Sequence, residues 1–579
     1  MSVFVPQAPA AHSFPARSRA ISRSSAPAAP RQITTFWLCL WLAITLIATK
    51  AFQLGLPALS FGGVLRFLRD LAIVSYSDAI FAFTLCAAGE LLLMLARPNW
   101  LRWPLWSLAA AFCTVCTIYS VINVYIYRVM GAPLTCRLLY MAGAAKGFRS
   151  SINAFITPAR IVSILIVPVI YLAVLAVTHR LARHRPKQFH LKHILLLLAA
   201  LAVALLTRQS VADSWTNRDE KRLVENPQWA LLSSYAPMSI DARKIKVDAT
   251  FPEEYAREVA TVAERPHLAI PATALQNARP KNVIVVVLES VAIKYMSLYG
   301  SKYATTPVLQ SEARNAAVFD NFYSHVGNTA NSLIGVSLST YPGMTWKKYP
   351  REQPGLRGVT VAEALKPHGY RSAFLTSADN EYDEMNNFLA GRGFDDIWDY
   401  RQLSSGEPLT SWGCDDKYLF DGMFKWIEQD KSKPFFILSW TCQTHHPYEP
   451  SVGMKQINFF DGDKPNDAYD LGRYLTVLHN VDEQLGRLFT YLREHNLADD
   501  TLVVITGDHG EAFGDPRPTS WGHSGKPYDE DLHVPCMIWN PRLFPAPRRM
   551  ENVGGHVDLS PTIADILGVQ PAPTWQGYS

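Results

Sequence analysis

The chain has 579 residues, 49% of them hydrophobic and 18% charged, with a formal net charge of +5. That length exceeds one ordinary domain, and a charge so close to balance gives no electrostatic footprint for a nucleic-acid partner. The eight cysteines exclude a disulfide framework: Cys39, Cys86, Cys113, Cys116 and Cys136 fall in or beside apolar runs, and the odd set Cys414, Cys442 and Cys536 remains for the rest.

Residues 1–33 are rich in Ala, Pro, Ser and Arg and are expected to be a disordered tail. No clear cleavage site separates this tail from the apolar run that follows, so it does not read as a signal peptide. Five apolar runs then succeed one another near 35–56, 72–96, 105–127, 161–178 and 194–207. A bilayer needs roughly 20 apolar residues per helix, so residues 34–208 are expected to form a transmembrane bundle of about five helices, the last of them short. Buried helices of a soluble domain would not give five such runs in a row. The pair Cys113 and Cys116 sits inside one run and reads as packing rather than metal or redox chemistry. Arg17, Arg19, Arg23 and Arg31 precede the first run, and Arg180, Arg183, Arg185, Lys187 and Lys192 crowd the connection before the fifth. The positive-inside rule puts both groups in the cytoplasm and everything beyond Arg208 outside. Arg128, Arg137, Lys146, Arg149 and Arg160, between the third and fourth runs, oppose this orientation.

Residues 209–280 are polar and irregular and read as a linker. From Lys281 the pattern changes. "NVIVVVLES", "GYRSAFLTSADN", "PFFILSWTCQTHHP" and "TLVVITGDHGE" are apolar, β-rich runs of the kind that form parallel strands covered on both faces. Helical patterns such as 360–366 and 474–494 separate them, which predicts an α/β fold with a mainly parallel sheet over 281–579. Each strand ends in a reactive group: Glu289, Asp379, His445 with His446, and Asp508 with His509. Ligands of open α/β sheets bind at the carboxyl ends of strands, so four such ends delivering acids and imidazoles predict a site there.

Asp508 and His509 are adjacent on a glycine-flanked turn, where both side chains can converge on one ion. A carboxylate with an imidazole suits Zn²⁺ or Mn²⁺ better than Ca²⁺. Glu289 can add a second carboxylate, although taken alone it reads as a hydrogen-bonded turn residue. A nucleophile is offered by "NFYSHVGNTANSLIGVSLSTYP", in which Leu333, Val336 and Leu338 have helical spacing. Thr329 then stands at a helix N-terminus, a natural oxyanion position. Its hydroxyl is either an ordinary N-cap or a nucleophile activated by a metal ion.

"LES", "NTANS", "THHPY", "GDHGE", "GHSGKPYDEDLHVP" and "HVDLSPTIADILGV" occur in the order seen in sulfatase-like enzymes, and from Asn282 onward the chain resembles that branch of the alkaline phosphatase superfamily. The five apolar runs in front resemble the membrane-anchored members: lipoteichoic acid synthases, phosphoethanolamine transferases and phosphoglycerol transferases. "NPQWALLSSY" (226–235) is similar to the linker of the synthases. The resemblance implies an α/β sulfatase-like catalytic domain and one divalent metal ion, Mn or Zn first and Mg or Ca as alternatives. It implies Glu289, Thr329, Asp508 and His509 as ligands, with Thr329 also taking a phospholipid head group covalently. His445 and His523 are implied to contact phosphate or move protons, with His446 a near competitor of His445. Ser332 fits the Thr-x-x-Ser spacing of some transferases. Asp379, Trp412 and Asp416 are candidates for the pocket wall.

The implied reaction transfers a phosphoglycerol- or phosphoethanolamine-type head group from a phospholipid donor to a cell-envelope glycan or lipid acceptor, with no nucleic acid involved. The implied location is the inner or plasma membrane, multi-pass, with the catalytic domain on the periplasmic or extracellular side. Sulfatases proper need a Cys or Ser that becomes formylglycine, and Thr329 cannot become one. Three outer cysteines cannot build the disulfides usual in phosphoethanolamine transferases. Ser377 stands where the synthases carry a histidine, and no arginine follows nearby. The chain ends at "WQGYS", where members of the family usually continue. The alternatives are a hydrolase on the same scaffold, either a phosphodiesterase or an atypical sulfatase, and a membrane receptor that keeps an inactive enzyme fold.

Overall fold

The computed structural model describes residues 34–96, 98–130, 132–136, 149–182, 191–216, 221–235, 279–343, 348–381, 384–404, 407–460, 468–515, 521–523 and 527–579. The expected disordered tail and most of the expected linker (236–278) lie outside the described residues.

Among the described residues, five helices are long and apolar enough to cross a membrane: Phe36–Leu54, Tyr76–Leu95, Trp100–Tyr127, Pro158–Leu181 and Leu195–Asp213. The fifth is not short. Its full helix runs Leu191–Asp213, 23 residues, about 35 Å at 1.5 Å per residue, which exceeds the ~30 Å hydrocarbon core. The sequence window missed its last turn because Arg208, Gln209 and Asp213 dilute the apolar run.

After this helix the chain turns back onto the bundle. Lys50 and Asp78 are buried and lie 3.8 Å apart. The Lys50 ammonium donates to the carbonyls of Leu223 and Glu225, and Asp78 accepts from the Asn226 amide at 2.7 Å. Gln228 donates to Ser120 Oγ at 2.6 Å and to the Cys116 carbonyl at 3.1 Å. Asn226 also caps the Pro227–Ser234 helix by accepting from Trp229 N. The "NPQ" stretch, which reads as linker in the sequence, is therefore docked into the membrane bundle. Charged groups within membrane helices are costly unless paired, and here the pair is neutralised by backbone and amide groups of the docked segment.

The second module is built on an eight-stranded sheet of order β10-β2-β9-β6-β1-β5-β3-β4. Its strands are β1 (Asn282–Leu288), β2 (Ala316–Tyr323), β3 (Arg371–Thr376), β4 (Asp396–Trp398), β5 (Phe435–Trp440), β6 (Thr501–Gly507), β9 (Cys536–Trp539) and β10 (Arg548–Gly555). A separate ribbon pairs β7 (Ala512–Phe513) with β8 (Trp521–Gly522). Strands β6, β1, β5, β3 and β4 are mutually parallel, and only β9 runs against its neighbours. A strand turns alternate side chains to opposite faces, and both faces of β1 are covered, which explains why residues 283–288, "VIVVVL", are apolar throughout. Ile284, Val286 and Leu288 pack under the long Ala468–Glu494 helix, beside Tyr474, Leu478 and Leu485. Val283, Val285 and Val287 enter the opposite core with Leu333, Ile334 and Ile563.

Substituting Lys50 by Ala leaves the Asp78 carboxylate buried without its ammonium partner, a loss of about 3–5 kcal/mol for a broken buried pair. The detergent-solubilised K50A chain is expected to melt at a clearly lower temperature than the parent by intrinsic fluorescence. A K50M/D78L double variant, which removes both charges, is expected to recover most of the loss.

Candidate active site

Strand register brings the first two acids together. Leu288 of β1 is the parallel partner of Gly507 of β6, so the next residues, Glu289 and Asp508, leave adjacent strands side by side. Both are buried, as is His509. The chain turns sharply at Ser290, a non-glycine residue with φ 55°. That left-handed conformation costs about 1–2 kcal/mol and is fixed from several directions: Ser290 N donates to Asp508 Oδ1 at 2.8 Å, its Oγ to Glu289 Oε1 at 2.9 Å, and Tyr474 Oη donates to its carbonyl at 2.9 Å.

Glu289, Asp508 and His509 each offer a ligand atom, and these atoms lie within 4.8 Å of one another. Asp508 Oδ1 is occupied by the N–H groups of Ser290 and His509. Its Oδ2 is buried without a hydrogen-bond partner. His509 Nδ1 lies 2.9 Å from the Gly510 carbonyl. A carbonyl only accepts, so Nδ1 carries the proton and Nε2 turns its lone pair to the acids. An orphaned carboxylate oxygen, a second carboxylate and an imidazole with the correct tautomer fit a divalent cation.

The electrostatics point the same way. Burial and the neighbouring Asp508 carboxylate push Glu289 up to about 7. Burial pushes Asp508 up to about 6, and burial with the nearby His523 pushes His509 down to about 4. Each shift disfavours the form that binds a metal least well for the imidazole and best for the acids. A cation bound between these two buried carboxylates would favour their ionised forms and offset the cost of burying both charges.

Thr329 completes the cluster. It is the first residue of the Thr329–Leu338 helix, and Asn328 is the cap, accepting from Asn331 N at 3.0 Å. The N-cap reading of Thr329 therefore falls away: Asn328 does that work. The Thr329 hydroxyl instead sits 3.2 Å from both Glu289 oxygens and 3.2 Å from His509 Nε2.

The histidines line one side. The His523 ring is 4.2 Å from that of His509 and 5.5 Å from that of His445. His523 Nδ1 is 2.7 Å from Glu511 Oε2, and His445 Nδ1 donates to the His446 carbonyl at 2.8 Å. The Trp412 ring packs 4.2 Å from His445, as a wall residue would. The His446 ring packs edge-on against that of Tyr448, with 5.3 Å between centroids.

Other expected site residues lie one layer out. Asp379 is held at 2.9 Å by Arg401, which also pairs with Asp399 and Glu381. Asp416 is fully buried and receives Ser377 Oγ and the backbone N–H groups of Cys442 and Gln443. It braces the loop that carries His445, so its carboxylate does not face the pocket. Ser332 Oγ donates to the Asp508 carbonyl at 2.9 Å and fixes the turn from behind. Glu511 escaped the sequence reading although it ends "GDHGE". It is buried, accepts from Tyr448 Oη at 3.0 Å and holds His523. Only its place in the quoted motif could have drawn attention to it.

The sulfatase family profile matches residues 281–569. A lipoteichoic acid synthase-like protein of Bacillus subtilis is 27% identical over 305 residues, 51% of this chain and 48% of the relative. Phosphoglycerol transferase I of Xanthomonas campestris is 26% identical over 265 residues, 42% of this chain and 35% of the relative. The chain thus spans about half the length of the first and about a third of the second. The structure of the integral membrane lipooligosaccharide phosphoethanolamine transferase from Neisseria meningitidis superposes with a TM-score of 0.57 at 15% identity, covering 94% of this chain and 98% of that one; the likeness is one of fold and extends through both modules. Residues 281–569 are a sulfatase-family domain of the alkaline phosphatase superfamily, carried on a chain with five helices long and apolar enough to cross a membrane among its described residues.

Proposed function

We propose that the protein is a metal-dependent transferase that moves a phospholipid head group, of phosphoglycerol or phosphoethanolamine type, through a covalent phospho-threonine onto a glycan or lipid of the cell envelope. The observation that carries this reading is the Thr329 hydroxyl, released from capping by Asn328 and held 3.2 Å from Glu289 and His509. Two similar proteins are named as a phosphoglycerol transferase and a lipoteichoic acid synthase-like protein, which supports the donor class. A membrane module on the same chain suits a lipid donor, with the catalytic domain on the outer side.

Glu289, Asp508, His509 and Thr329 would hold the cation, Mn²⁺ or Zn²⁺ by the donor set. When bound, such an ion lowers the pKa of a hydroxyl and offsets phosphate charge. The rest is done by the chain's own groups. Thr329 Oγ attacks phosphorus at a helix N-terminus, where backbone N–H groups favour phosphate. Thr329 gives up its hydroxyl proton in this attack; the bond from phosphorus to the diacylglycerol oxygen breaks, and that oxygen takes up one proton, so the proton lost by Thr329 is the one the leaving oxygen needs. His523 and His445 each have Nδ1 engaged and Nε2 left to carry a proton to the departing oxygen or take one from the incoming alcohol. Glu511 orients His523. In the second step the acceptor hydroxyl attacks the phospho-threonine and Thr329 regains its proton. Catalysis is chiefly positioning and charge compensation. Water as the acceptor would make the same site a phosphodiesterase.

Intact mass of the detergent-purified chain after incubation with defined phospholipids is expected to show a head-group-sized adduct, absent in Thr329→Ala. Turnover without an adduct on the parent would overturn the covalent step, and release of free head group without transfer would identify a hydrolase. His523→Ala is expected to lower turnover about 10²–10⁴-fold, the usual range for a lost acid–base group, with metal content unchanged.

Stability should report the cation independently of activity. In the metal-free chain Glu289 and Asp508, with ordinary values of 4.5 and 3.8, are raised to about 7 and about 6. Their contribution is complete below the ordinary values and is lost as pH rises through the raised ones. His509, lowered from 6.5 to about 4, acts in the opposite sense over that interval and offsets only part of the loss. The rise in melting temperature on adding Mn²⁺ is therefore expected to grow from about pH 5 to about pH 7.5, and Asp508→Asn should remove most of it.

A further inference from the structure

The Arg149–Phe155 helix belongs to the membrane module, between its third and fourth spans, yet it touches the wall of the catalytic pocket. Ser150 N donates to Ser411 Oγ at 2.9 Å, and the hydroxyls of Ser150 and Ser411 lie 2.6 Å apart. Ser151, buried, uses its one hydroxyl twice: it donates to the His446 carbonyl at 2.9 Å and accepts from Trp412 Nε1 at 2.9 Å. Both partners set His445. The same His446 carbonyl accepts from His445 Nδ1 at 2.8 Å, which fixes the tautomer. The Trp412 indole lies 4.2 Å from the His445 ring, which fixes its tilt. A single hydroxyl of the membrane module thus grips both supports of a pocket histidine.

We propose that Ser151 is a positioning residue through which the membrane module orients His445, so that the catalytic pocket is fully formed only while the Arg149–Phe155 helix is docked on Ser411 and Trp412. The part that concerns turnover rests on the transferase reading given above; the contact itself does not. A misplacement of about 1 Å in a reacting group costs up to about 10²-fold in rate even when the mutated residue is remote from the chemistry. The loss should fall on kcat rather than KM, because His445 moves a proton and does not need to hold the lipid tails.

The test uses the full chain in phospholipid nanodiscs. A Ser150→Cys/Ser411→Cys pair should form a disulfide on mild oxidation, since the two side-chain oxygens are 2.6 Å apart and disulfides need close Cβ atoms. Absence of the cross-link would overturn the contact. Ser151→Ala should speed carbethoxylation of His445 several-fold by peptide mass spectrometry, with bound Mn²⁺ and melting temperature close to the parent; Trp412→Phe, which loses the indole N–H but keeps a ring, should do so to a smaller extent. An unchanged His445 rate in Ser151→Ala would overturn the positioning role. With phospholipid donor, Ser151→Ala should lose up to about 10²-fold in kcat and shift the pH profile, with KM little changed. Unchanged kcat and pH profile would also overturn it. A parent chain that forms no adduct with any lipid would count against the transferase reading alone, because the cross-link and His445 reactivity would still decide the contact and the positioning.

Discussion

Everything in the candidate site depends on two carboxylates that cannot comfortably share their place. Register pairs Leu288 with Gly507, so Glu289 and Asp508 emerge side by side from neighbouring parallel strands, both buried. A slip of one residue would turn one of them to the other face of the sheet. Both cores of the domain oppose that slip, because Ile284, Val286 and Leu288 belong to one and Val283, Val285 and Val287 to the other. The hydrophobic sheet is what forces the acids together, and the acids in turn call for a cation. The fold supplies the energy for a charge arrangement that would not assemble by itself.

Around that pair the chain spends conformational freedom in the same few residues. Ser290 takes a left-handed conformation, and so does Tyr448 at φ 57°. The first is pinned by Asp508 and Tyr474, and the second packs on Tyr474 and Phe513 while donating to Glu511. Strain of this sort persists where surrounding structure over-determines it. Here its effect is to aim Glu289 and Glu511 inward, one at the acid pair and one at His523.

The sequence made the strand ends legible because a fully buried parallel strand has a simple signature, and an acid or imidazole directly after it stands out. Glu289, His445, Asp508 and His509 stand out in that way. It could not decide between two roles for Thr329, since the answer depends on whether Asn328 folds back to cap Asn331. Asp379, Asp416 and Ser332 share the same chemistry and neighbourhood as the site residues, but their hydrogen bonds lead to Arg401, to the Cys442–Gln443 backbone and to the Asp508 carbonyl. Direction of a side chain is not written in spacing. No arginine follows Ser377 nearby in sequence, yet Arg401 arrives beside Asp379 from a separate turn of chain. In the same way Asn226 and Gln228 read as linker, because their partners Asp78 and Ser120 lie more than a hundred residues away.

Cys414, Cys442 and Cys536 of the sulfatase-family domain are free and buried, so the loops around the site are held by other means. Asp416 is the clearest instance. Its carboxylate gathers Ser377 from the end of β3 and two N–H groups from the loop after β5, joining two strand ends as a cross-link would. Charge-assisted bonds to backbone N–H groups are among the stronger hydrogen bonds, but they rest on ionisation, and burial pushes Asp416 up to about 7 despite the three donors. A disulfide would be indifferent to pH and sensitive to reductant; this brace is the reverse. The Thr444 hydroxyl, which donates to the Glu289 carbonyl, then ties the same loop to β1. The His445 loop is thereby suspended between a buried acid on one side, the end of β1 on another and Ser151 of the membrane module on a third, and its geometry is a property of both modules together.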